Sequence, residues 1–148
     1  MQKATADKPA SNRSSIEAGL AYFAIVFPIA FAFGIFRTLV LIPAIGKMAA
    51  VMTELPFLLA VSWIAALWLT SRFAGTASLA ARLTMGGVAF AVLMVAEALL
   101  AVFAFGQTFT QYLESFQGNA AHLGLAGQIA FAMLPSLQLL WTRPTPGR

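Results

Sequence analysis

The fold class the sequence predicts is an all-α, polytopic membrane protein, a four-transmembrane-helix bundle with both termini cytoplasmic, and three observations predict it. Of 148 residues, 60% are hydrophobic and 9% charged, where about a quarter of a soluble domain is charged. Four apolar runs reach the roughly 20 residues that a helix rising about 1.5 Å per residue needs to cross a hydrocarbon core of about 30 Å. Lysine and arginine alternate in density between the connections, which orients the runs.

The first run covers about Ala18 to Phe36 without a formal charge. The second covers Met48 to Thr70 and contains Glu54, the third Leu83 to Phe105 with Glu97, and the fourth Leu123 to Trp141. Unsatisfied backbone groups are costly in lipid, so each run is expected to be helical. The domain organisation read from this is a flexible polar tail over 1–16, a four-helix domain over 17–142 and a short C-terminal tail over 143–148. The apolar run after the tail is longer than a signal peptide's core and lacks a small-x-small cleavage site, so cleavage is not expected.

Orientation follows from Lys3, Lys8, Arg13, Arg72, Arg82, Arg143 and Arg148, which share one side in a four-span arrangement, against Arg37 and Lys47 on the other. The first group marks the cytoplasmic side. Trp68 and Trp141 then fall near the cytoplasmic interface, where indole rings tend to sit. The pI near 10.1 does not indicate nucleic acid, because the basic residues flank apolar runs instead of clustering on a soluble face. The absence of cysteine removes disulfides, thiolate chemistry and cysteine metal sites, and a lone His122 excludes bis-histidine haem within one chain.

With this topology Glu54 lies about 9 Å, Glu97 about 12 Å and Gln128 about 8 Å below the outer ends of their helices, one polar layer. Arg37 is near that layer, and Lys47, Gln107 and His122 form its outer rim. The linker RTLVLIPAIGK has two readings: helix one ends near Gly34 and leaves an interfacial loop, or it continues through Ile42 and turns at Pro43 to Gly46. The second is preferred, because it brings Arg37 and Glu54 to similar depth on antiparallel neighbours. A lone charge at mid-bilayer costs at least roughly 2.5–3.5 kcal/mol, so the acid needs a partner, a proton or water.

Pro56 removes a donor and crowds the Met52 carbonyl, so a helix kink or opening is expected one turn from Glu54. Shaping of packing is its alternative role. Glu54 and Glu97 are the leading functional candidates, with interhelical hydrogen bonding to Gln128, Ser62 or a carbonyl as the alternative. Lys47 is expected to snorkel to headgroups and His122 to cap or sit at the interface, not to bind metal. Phe23, Phe27 and Phe31 recur every four residues as an aromatic ridge, which packing or lipid contact explains first. Ala30/Gly34 and Gly87/Ala91 have the small-xxx-small spacing of close helix contacts, and FAFG occurs twice, at Phe31–Gly34 and Phe103–Gly106, as a duplication of hairpins would give.

No nucleophile elbow, phosphate loop, HExxH or Rossmann fingerprint occurs, so an enzyme is disfavoured and no cofactor or metal is expected. The string FAFGIFRTLVLIPAIGKMAAVMTELPFLLAVSWIAALWLTSRF, followed by GLAGQIAFAMLP, resembles a family of small bacterial inner-membrane proteins with four predicted spans, through Arg37, Pro43, Gly46, Glu54, Pro56, Ser62, Trp63, Arg72 and Gln128. The resemblance implies a bacterial inner-membrane location and brings no activity, ligand or catalytic residue. Expected partners are the lipid bilayer and a second copy or another membrane protein. The leading functional expectation is binding or passage of a small cationic or protonatable species at Glu54, Glu97, Gln128 and Arg37. An accessory or assembly subunit of a membrane complex is second, and a lipid-modifying enzyme using the acids and His122 is last.

Overall fold

The computed structural model describes residues 8–141, with side chains from residue 12. Helix α1, Lys8–Phe36, carries Pro28 and continues into a π-helical stretch, Arg37–Leu41, and a short α2, Ile42–Ile45. Gly46 turns the chain at φ +82°, and α3 runs over Lys47–Arg72. A 3-10 turn, Ala74–Thr76, leads to α4, Leu79–Leu99, whose end widens into a second π-helical stretch, Leu100–Ala104. A short α5, Phe109–Glu114, precedes α6, Asn119–Trp141. Four of these stretches, Asn12–Ile45, Lys47–Arg72, Leu79–Ala104 and Asn119–Trp141, are long and apolar enough to cross a membrane. They form an all-α four-helix bundle, with no strand among the described residues.

Several boundaries differ from the sequence expectation for physical reasons. Helix α1 begins at Lys8, so residues 8–16 are helical and not a loose tail. Hydropathy marks where an apolar face begins, not where a helix does. Pro9 sits in the first turn, where its missing N–H costs nothing, and Arg13 and Glu17 face each other one turn apart at 3.9 Å. The rest of the expected N-terminal tail, and the expected C-terminal tail with Arg143 and Arg148, lie outside the described residues.

At the linker, the helix continues instead of ending near Gly34, and the reversal is made at Gly46 alone. Pro43 lies within α2, not in the turn. Its ring and missing N–H are incompatible with the regular bond to Leu39, and the chain just before it widens so that Ile42 N–H reaches Arg37 O. Helix α4 starts at Leu79, ahead of Leu83, because the Ser78 hydroxyl accepts from Ala81 N–H at 3.1 Å.

Helix α1 packs on α3 and α4, and α6 packs on the same two, so the four long helices form a ring with α1 facing α6 across it. The bundle is tight toward the end that holds the Ala74–Thr76 turn, hereafter the closed end. There Ala18, Tyr22, Val26, Ala65, Ala66, Leu69, Met85, Ala89 and Phe131 form the core. Glycines set its helix spacing. A Cβ on Gly19 would stand 2.6 Å from Met85 O, and one on Gly86 1.8 Å from Ala132 O. The small residues expected at contacts, Gly34 and Gly87, have no neighbouring helix that close. The two FAFG strings differ in conformation: the first is inside α1, while the second ends in a turn at Gly106, φ +65°.

Polar ties close the same end. Arg82 donates to Thr76 O at 2.9 Å and Pro135 O at 3.1 Å, and Gln138 donates to Trp63 O at 2.7 Å. Arg82 is therefore a structural brace as well as a flanking cation. Pro135, inside α6, cannot donate to the carbonyl four residues back, that of Phe131. The Tyr22 hydroxyl donates to that same Phe131 O at 3.1 Å while its ring stacks on Phe131 at 4.4 Å. Tyr22→Phe is expected to lower stability by about 1–2 kcal/mol, the loss for a buried acceptor left unmade, with the helix content unchanged. Unfolding in detergent checks it.

The outside of the bundle is apolar. Leu39 is 70% exposed, Phe103 81% and Trp141 83%, which acyl chains tolerate and water does not. Arg72 lies over the Trp68 ring at 5.3 Å, and Trp141 meets Trp63 edge-on at 6.5 Å, so both aromatic contacts gather at the closed end.

Candidate functional site

Toward the other end, which holds Gly46 and α5, the helices enclose a cleft of about 730 Å³. Every long element contributes a polar side chain to it: Arg37 from the π-helical continuation of α1, Glu54 from α3, Glu97 from α4 and Gln128 from α6. The Arg37 Nη1 donates to Glu54 Oε2 at 2.8 Å. Gln128 Nε2 donates to Glu97 Oε1 at 2.7 Å. Both pairs line the same cleft.

Local backbone geometry aims these groups. Arg37 opens one π-helical stretch, and Glu97 lies one turn before the other, where Leu100 N–H is shared between the Ala96 and Glu97 carbonyls. Single wide turns of this kind shift the rotational phase of a helix and recur at functional positions. The Glu54 side chain is only 4% exposed, whereas Arg37 keeps 34% of its side chain open. The ion pair therefore has a buried anion and a cation that reaches the cleft.

The two acids are not equivalent. Glu54 has a guanidinium on it, while Glu97 has a neutral amide and no cation within salt-bridge distance among the described residues. The other end of that amide, Gln128 Oε1, is buried and has no hydrogen-bond partner among the described residues. Lys47, the first residue of α3, lines the cleft and makes no salt bridge among the described residues.

Of the expected rim, Lys47 and Gln107 line the cleft, and His122 does not; it lies exposed in the first turn of α6. Ser62 lines the cleft floor, but its hydroxyl returns to Leu58 O at 2.7 Å instead of bonding Glu54. Helix α3 carries Pro56 without interruption. Residues two apart lie about 200° around a helix, so Pro56 sits on the exposed face while Glu54 is buried. Neither Pro56 nor Met52, whose carbonyl it crowds, is among the residues that line the cleft. An acid and a proline can neighbour each other here because they face different surroundings.

The cleft has a cover that sequence reasoning missed. Helix α5 places Tyr112 on it, and Phe116, two residues past the end of α5, meets that ring edge-on at 5.1 Å, while the Tyr112 hydroxyl donates to Met94 O at 3.4 Å. Burial first, then the nearby Glu97 carboxylate, push the Tyr112 phenol above its usual range, so it remains a neutral donor. The signal was present: Thr108 and Gln111 form a capping box, with Thr108 N–H to Gln111 Oε1 at 2.8 Å and Gln111 N–H to Thr108 Oγ1 at 3.2 Å.

Comparison with family models, curated proteins and solved structures gives no match for this chain. Function is therefore argued from the cleft. It holds one ion pair, one carboxylate with neutral company and, among the described residues, an amide oxygen without a hydrogen-bond partner, in a largely apolar chamber.

Proposed function

We propose that this multi-pass membrane protein binds or passes a small cationic or protonatable species at the cleft, in a bacterial inner membrane with both termini cytoplasmic and the cleft facing outward. The observation that carries the reading is the unequal treatment of the two acids. Arg37 neutralises Glu54 and holds the wall, which leaves Glu97 to attract a positive guest or take up a proton. The placement of Arg37 and Lys47 at the cleft end and Arg72 and Arg82 at the closed end supports the orientation. The polar groups lie at depth within long apolar helices, as ion and substrate sites do in membrane transporters.

An accessory-subunit role is the second reading, since an apolar exterior can meet lipid or partner helices equally. It predicts charges held for the partner, and the internal Arg37–Glu54 pair at 2.8 Å speaks for ligand handling instead. Purification in mild detergent separates them: a stoichiometric second protein supports the subunit reading.

The test of the first reading is Glu97→Gln in purified protein in nanodiscs, assayed by equilibrium binding with methylammonium and 4-phenylbutylamine. The expected result is at least a tenfold loss of affinity for whichever probe binds, with the thermal midpoint and helicity retained. Unchanged affinity for both probes in the folded variant, and in the Glu54→Gln/Glu97→Gln double variant, overturns it.

A further inference from the structure

Resting on the reading of the cleft as a cation site, we propose that its occupant is an amphipathic amine: an ammonium head with at least two N–H donors on Glu97 and Gln128, and an apolar tail along α1. Three observations converge on that class.

The first is the set of acceptors. Among the described residues Glu97 offers a carboxylate with no cation within salt-bridge distance, and Gln128 a buried amide oxygen with no hydrogen-bond partner. The Glu97 Oε1 and Gln128 Nε2 atoms are already in contact at 2.7 Å, so the carboxylate and the amide oxygen belong to one small neighbourhood. A buried acceptor left unmade is costly, and a guest N–H recovers that cost. A primary or secondary ammonium supplies one N–H to the carboxylate and, once the Gln128 side chain turns its buried amide oxygen toward the guest, another to the amide. A quaternary ammonium supplies none.

The second is size. A cleft of about 730 Å³ falls in the range that holds drug-sized organic ligands, roughly 300–1,000 Å³, whereas a water-sized ion occupies only about 30 Å³. A bare ion would leave most of this chamber to be filled by something else.

The third is the wall. Below the polar layer the lining is Phe23, Phe27 and Phe31 of α1, with Leu58 of α3 and Phe131 of α6. The α1 rings stack in series, at 4.8 Å between Phe23 and Phe27 and 6.2 Å between Phe27 and Phe31. From Arg37 down to Phe23 is 14 residues, about 21 Å along the helix axis, a continuous apolar track beneath a charged head site. The aromatic ridge thus belongs to the chamber wall as well as to packing. Arg37, held by Glu54, lines the same cleft and disfavours a second positive charge there, so a monoamine fits better than a diamine.

The experiment uses the full chain in nanodiscs, with empty nanodiscs as the partition blank, and three probes: 4-phenylbutylamine, its N,N,N-trimethyl analogue and methylammonium. The amine is expected to bind at least tenfold more tightly than either other probe. Glu97→Gln should lower its affinity at least tenfold, and Phe27→Ala should weaken it while leaving methylammonium unchanged. Gln128→Leu should erase the preference for the amine over its trimethyl analogue. Equal or tighter binding of the trimethyl analogue overturns the N–H assignment, and equal binding of methylammonium overturns the tail assignment. Either outcome, if Glu97-dependent, leaves the cation-site reading standing. Absence of Glu97-dependent binding for all three probes in folded protein overturns both.

Discussion

Arg37→Met is expected to destabilise the bundle by about 2–3 kcal/mol, while the Arg37→Met/Glu54→Leu double variant recovers most of that loss. The single change strands a carboxylate that is 4% exposed among apolar helices. Breaking a fully buried ion pair costs about 3–5 kcal/mol. The lower figure follows because 34% of the Arg37 side chain is open, so part of the attraction is already screened. Removing both charges removes the stranded group, and apolar replacements of buried pairs are often neutral or better. Glu54→Leu alone should cost less than Arg37→Met, because the guanidinium can swing toward the cleft mouth and stay solvated. Unfolding of the three variants in one detergent measures the coupling. Strictly additive losses would mean that the 2.8 Å contact contributes nothing to stability.

That pair was legible in the sequence because a turn converts sequence distance into depth. Arg37 and Glu54 flank the Gly46 reversal by similar lengths, and a rise of about 1.5 Å per residue brings them level. The same arithmetic put Glu97 and Gln128 in one layer. Rotational phase was not legible. The long helices are apolar nearly all round, and without a polar stripe the sequence gives no sign of which face is buried. Pro56 was thus placed beside Glu54, although the two face opposite ways, and the close-contact role was assigned to Gly34 and Gly87 instead of Gly19 and Gly86. The compensating hydroxyl for a helix proline was also out of reach: Tyr22 and Phe131, whose carbonyl Pro135 leaves free, are far apart in the chain and meet only across the ring of helices. Helix α5 was missed for a different reason. Its six residues fall below the length at which apolar runs are noticed, and only the Thr108/Gln111 cap announces it.

The neighbouring glycines of α4 provide the sharpest test of phase, since alanine at the two positions should act with opposite signs. At Gly86 the added Cβ would stand 1.8 Å from Ala132 O and 2.9 Å from the Ala132 carbonyl carbon, both backbone atoms of α6. No rotamer change relieves that contact, so α4 and α6 must separate along their tight half. Ordinary overpacking costs about 1–3 kcal/mol, and a backbone-on-backbone clash belongs beyond it, so Gly86→Ala should lose more than about 3 kcal/mol. At Gly87 a Cβ meets nothing within 4 Å, and alanine is a better helix former than glycine by about 1 kcal/mol. Gly87→Ala should therefore be neutral or stabilising. Because α4 and α6 also carry Glu97 and Gln128, separation at Gly86 should weaken amine binding as well, whereas Gly87→Ala should leave it unchanged. Thermal unfolding in detergent and probe binding in nanodiscs measure both consequences. A Gly86→Ala protein within about 0.5 kcal/mol of the parent, the range of an ordinary surface substitution, would show that the α4–α6 register described here is wrong, and with it the approach that brings Glu97 and Gln128 together.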